Sequence, residues 1–129
     1  MWSGNWPSRT LVDLNQSITY LEKLVQEQDP SEKVSAELSR FLVIRTCGYL
    51  EQAVEESCRS YLKSKADPRT AAFGESWLGR GANPGPDALA KLVRRFDNAW
   101  AEELEELFNN DDEFLKREIK SLVDKRNRI

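Results

Sequence analysis

The sequence predicts an all-α protein: a bundle of four main helices, with a long connection over residues 66–86 that has room for one short extra helix. Three observations predict it. Apolar residues recur at steps of three and four through most of the chain, which gives each helix one buried stripe. No stretch alternates apolar and polar residues as a half-buried strand does. Three of the five prolines and four of the six glycines fall within residues 66–86, leaving long uninterrupted segments on either side. No repeat of about 34 residues is present, which argues against a helical solenoid. The 129 residues suit a single compact domain. That length buries about two-thirds of the surface of the unfolded chain.

The first helix is expected over about residues 8–28, with Leu11, Leu14, Ile18, Leu21 and Val25 as its apolar stripe. "DPSEK" then opens the second. Asp29 is placed to cap, Pro30 fits the first helical position and Glu32 closes a capping box. The second helix should run from about 30 to 65. Its centre, "FLVIRTCGYL", is apolar around most of its circumference, as expected of a helix surrounded by others. After the 66–86 connection, Pro86 starts a third helix. Its stripe runs through Leu89, Leu92, Val93, Phe96, Trp100, Leu104, Leu107 and Phe108. "NNDDEF" separates it from the last helix: Asn110 and Glu113 suit a capping box, and Asp111 and Asp112 suit the positive end of a helix dipole. Leu115, Ile119, Leu122 and Val123 form the final stripe.

Composition excludes several functions. No apolar run approaches the ~20 residues of a membrane span, and "MWSGNWPSRT" lacks the layout of a secretory signal, so a cytoplasmic protein with no membrane partner is expected. The net charge of −3 argues against nucleic-acid binding through a generally basic surface. The charge is uneven, however. Residues 102–113 carry seven acidic and no basic side chains, whereas 116–128 carry six basic against two acidic. Either both runs are solvated helix faces or the basic end makes a focused contact with phosphate. Cys47 and Cys58 lie eleven residues apart. On one helix that is about 16 Å along the axis, beyond the reach of a disulfide, so both are read as buried thiols in a reducing compartment.

There is no histidine. Catalysis by Ser-His-Asp or Cys-His is therefore outside the means of this chain. Two cysteines are too few for a structural zinc site, and the acidic run lacks the Glu-x-x-His pairs of a di-metal bundle, so neither metal nor cofactor is expected. "GESWLGRG" is glycine-rich but lacks the preceding strand and the Lys-Ser/Thr of a phosphate-binding loop. Within it, Trp77 and Arg80 are candidates to stack on or pair with a nucleotide; the alternative is a Trp that closes the core beneath a loop. Arg45 lies on a stripe of the most apolar helix. It calls for a carboxylate partner, from Glu51 or a neighbouring helix, unless it lines a functional groove. Arg126 follows Ile119 by seven residues and Leu122 and Val123 by four and three, so it points with the apolar stripe.

A helical bundle whose last helix reads apolar-apolar-x-x-Arg-Asn-x-Ile resembles the HEPN superfamily. "VDKRNRI" matches the front half of its ribonuclease motif, in which an Arg, a polar residue and, a few positions on, a His form the site. "RTCGYLEQAV" is similar to the central helix of HEPN proteins from toxin and defence systems. The resemblance implies metal-independent endoribonuclease chemistry. Arg126 would hold the scissile phosphate and Asn127 would orient substrate or the His. Lys125, Arg128, Arg45, Glu51, Arg80 and Trp77 are the further substrate-binding candidates. It also implies a homodimer with RNA as substrate, and a cognate antitoxin or other protein partner. Because the chain stops before the expected His, the last helix is read as truncated and this chain as inactive. The alternative is a non-catalytic helical interaction module, antitoxin-like or an adaptor.

Overall fold

The computed structural model describes residues 7–78 and 84–129. The protein is all-α: the described residues form helices and no strand. In chain order these are α1 (Arg9–Glu27), α2 (Lys33–Lys65), α3 (Pro68–Glu75), α4 (Pro86–Phe96) and α5 (Asn98–Asn127). The chain divides into two compact units, Met1–Ala82 and Asn83–Ile129. The first carries α1 to α3, the second α4 and α5.

In the first unit, Ser8 starts α1 by accepting the Leu11 N–H at 3.2 Å. Its hydroxyl donates to the Glu56 carboxylate, 2.7 Å from the nearer oxygen, which ties the start of α1 to α2. The expected stripe is the buried one: Leu11 and Leu21 are buried, Leu14, Ile18 and Val25 half-buried. α2 packs against both α1 and α3, which covers part of its apolar circumference and leaves Phe41 and Ile44 exposed. It begins later than expected. The Asp29 carboxylate takes the Ser31 N–H and hydroxyl, at 3.0 and 2.8 Å. That local turn replaces the capping box, and α2 starts at Lys33 with no side-chain cap. The short helix allowed for in the 66–86 connection is α3. Asp67 caps it by accepting the Arg69 and Thr70 N–H groups and the Thr70 hydroxyl. At Gly74 α3 comes close to α2; a Cβ there would lie 3.0 Å from both methyls of Leu62. Cys47 is fully buried and Cys58 half-buried, and neither is in a disulfide. Burial, helped by the charge of Glu55, pushes the Cys58 thiol above its ordinary pKa.

In the second unit α4 packs on α5 around Ala90, Ala101 and Phe108, all buried. The expected third helix is broken at Asp97, whose backbone is extended (φ −163°, ψ 128°). Its carboxylate accepts the Ala99 and Trp100 N–H groups at 2.7 and 3.2 Å, which caps α5. α5 is itself kinked at the expected "NNDDEF" boundary, but not by a capping box. Asn110 is extended, and Asp111, Asp112 and Glu113 take left-handed conformations with φ of 53°, 57° and 61°. The half-exposed pair Arg94–Glu105, 2.6 Å apart, joins α4 to α5.

Candidate functional site

The kink divides α5 by charge. Before it lie Glu102, Glu103 and Glu106, all exposed, and Glu105, held by Arg94; after it lie the six basic residues of 116–128. The acidic run is therefore mainly a solvated face. No group of His, Cys, Asp or Glu side chains among the described residues is arranged to hold a metal ion.

At the far end of α5, Arg126 is half-buried, on the side of buried Val123 and half-buried Leu122. Lys125, Asn127 and Arg128 are exposed around it. Consecutive helical positions diverge by about 100°, so these four side chains surround the helix end rather than share one face. Their cationic members suit the negative end of the helix dipole. Two of the last carbonyls are taken: the Arg128 N–H donates to Lys125 O at 3.3 Å, and the Ile129 N–H to Arg126 O at 3.1 Å. What this end offers chemically is one partly sheltered guanidinium, a polar amide beside it and flanking cations. These are groups for holding a phosphate, with none to move a proton near neutral pH.

The other candidates lie elsewhere. Arg45 and Glu51, both half-buried, are six residues apart on α2, about 240° around the helix, so they do not face one another. The Arg45 guanidinium lies over the Phe41 ring, 5.0 Å from its centroid, and forms no ion pair with a described residue. That cation–π contact one turn away takes the place of the expected carboxylate. Trp77 follows α3 and is 53% exposed, packed edge-on against an exposed Phe73 at 6.2 Å. It is a surface aromatic rather than a core plug. Arg80 lies outside the described residues.

One concave feature escaped the sequence reading. Between α4 and α5 is a cleft of about 280 Å³, with Pro86, Ala90 and Phe108 as its apolar lining and Lys91, Arg94, Lys116 and Asn109 among its polar groups. The spacing of Lys91 and Arg94 on α4 was legible. Their meeting with Lys116 depends on the turn at Asp97, which was not foreseen, and on the kink at 110–113, where a boundary was expected but not its left-handed conformation.

A family model described as RiboL-PSP-HEPN matches residues 9–129, through all five helices and over Arg126 and Asn127. No curated protein and no solved structure matches the chain. With nearly its whole length covered, and the apolar-x-x-Arg-Asn pattern in place on α5, the chain belongs to the RiboL-PSP-HEPN family of HEPN domains.

Proposed function

We propose that this chain is the RNA-holding helical domain of a metal-independent endoribonuclease of the toxin or defence type. The observation that carries the reading is the half-buried Arg126 beside Asn127 at the end of α5, within a family match that includes both. In such a reaction the ribose 2′-hydroxyl attacks the adjacent phosphate. A general base takes its proton, and a general acid protonates the leaving oxygen. Arg126 binds the phosphate through two parallel N–H donors and stabilises its developing charge. Asn127 orients the nucleotide, while Lys125 and Arg128 draw the strand in. The proton transfers call for a histidine, and these 129 residues have none. The chain by itself therefore binds RNA weakly and does not cut it. Two copies pair so that two such helix ends line one cleft, doubling the local positive charge.

The test is a mobility-shift and cleavage assay on single-stranded RNA, with chelator present. The expected result is no cleavage, and binding that Arg126→Ala weakens about tenfold, the worth of a charge-assisted hydrogen bond. Cleavage that vanishes in Arg126→Ala would overturn the inactivity. Unchanged binding in that variant would overturn the role of Arg126.

A second reading, a non-catalytic protein-interaction module, antitoxin-like or an adaptor, has one observation in its favour. Val34, Phe41 and Ile44 on α2 are 53%, 44% and 43% exposed, and, beyond the adjoining backbone of α2 itself, no described residue lies within 4 Å of where a Cβ on Gly48 would be. This is an open apolar helix face of the kind that accepts another helix. If Arg126→Ala leaves RNA binding intact, this reading replaces the first.

A further inference from the structure

The cleft between α4 and α5 is built differently from the end of α5. Its apolar lining, Pro86, Ala90 and Phe108, is buried. Two of its cations are uncommitted: Lys91 is exposed and Lys116 half-buried, and neither forms an ion pair or hydrogen bond with a described residue. Arg94, by contrast, is held by Glu105 at 2.6 Å. Partly sheltering a lysine from water without a partner costs free energy that an anion in the cleft would return. Asp87 also lines the cleft and Glu105 is already paired, so one anionic group is the most the site can balance. The adjoining first turn of α4 has no side-chain cap, which favours the same sign of charge. Asn109 adds an amide that both donates and accepts, as the edge of a base requires. The volume, about 280 Å³, lies near the lower end of small-molecule sites and suits a single nucleotide.

We propose that this cleft is a nucleotide subsite, with Lys91 and Lys116 taking one phosphate and the base lying against Ala90 and Phe108 beside Asn109. The proposal rests on the reading of the chain as an RNA-holding domain and gives that reading a second contact, away from Arg126. A strand engaged at both places would be gripped by two separate phosphates. Its nucleotide preference would then be set in the cleft, because the end of α5 offers little shape to discriminate bases.

The test titrates the full chain with uridine and adenosine monophosphates, with inorganic phosphate and with a short single-stranded RNA. Binding is followed by backbone amide NMR shifts. A nucleotide should move the amides of Ala90, Lys91, Asn109 and Lys116 and bind more tightly than phosphate. Lys116→Glu and Lys91→Glu should each weaken that binding about tenfold, the loss of one charge-assisted contact plus new repulsion. Both side chains are solvent-accessible, so a retained helical circular dichroism spectrum shows the variants to be folded. Arg126→Ala should leave the mononucleotide-induced shifts of Ala90, Lys91, Asn109 and Lys116 unchanged while weakening RNA binding. That separates failure of the cleft from failure of the motif. Three results would overturn the proposal: no shift with any nucleotide, phosphate binding as tightly as the nucleotides, or mononucleotide binding lost in Arg126→Ala and kept in Lys116→Glu.

Discussion

Asp67 holds α3 in place through one carboxylate. It accepts the Thr70 hydroxyl at 2.7 Å and the Arg69 and Thr70 N–H groups at 3.0 and 3.1 Å. The Thr70 side-chain bond, then the backbone bonds, hold its pKa below the ordinary 3.8. Because the folded value is the lower one, its stabilising effect is full above pH 3.8 and is lost as pH falls through the folded value. Asp67→Ala should therefore lower the melting temperature at pH 7, and the gap to the parent should narrow as pH falls below 3.8. A gap that persists into acid would show that the carboxylate is not the cap. Sequence reasoning had seen no cap here because proline and glycine suggested an open connection, although "DPRT" carries the N-cap and first-position proline signals. Arg45 was legible by position and not by partner. Its place on an apolar stripe was right, and the ring it covers lies four residues before it, at a spacing that brings helical side chains together.

Element by element, α1 and α2 were legible because each has one long period and a polar turn at either side. The region after Pro86 was harder. Leu92, Phe96, Trp100 and Leu104 keep helical spacing straight across Asp97, so periodicity alone reads one helix. The cap at Asp97 ends it regardless, since a carboxylate serving the Ala99 and Trp100 N–H groups stabilises a new start. At "NNDDEF" the boundary was found and its conformation was not. Three successive left-handed residues cost roughly 1–2 kcal/mol each, less for Asp, whose side chain tolerates that region. Glu113 has no such tolerance, and at φ 61° it is the residue to relieve. Glu113→Gly should raise unfolding stability by about 1 kcal/mol, as a shift in urea midpoint at unchanged slope. A loss of stability would mean that the chain does not pass through the left-handed region at 113.

For the whole molecule, the legible quantity was charge. A protein of net charge −3 should repel RNA, so any binding must come from a local concentration of cations. Two such places exist in Asn83–Ile129: the last turn of α5 with Lys125, Arg126 and Arg128, and the cleft with Lys91 and Lys116. The first could be read from the linear sequence because its cations are neighbours in the chain. The second could not, because Lys91 and Lys116 come together only through the packing of α4 on α5. The five cations of these two places set an upper limit on the phosphates that the two places neutralise. For single strands the slope of log affinity against log salt is about −0.7 per phosphate, so the limit is about −3.5. The measured slope for single-stranded RNA should fall between about −2 and that limit, and Arg126→Ala and Lys116→Glu should each make it shallower by roughly 0.7. A slope near zero would mean that the RNA is held by stacking on exposed aromatics such as Trp77. A slope well beyond the limit would mean that further cations engage, either Arg117 and Lys120 on the same helix or those of a second copy of the chain.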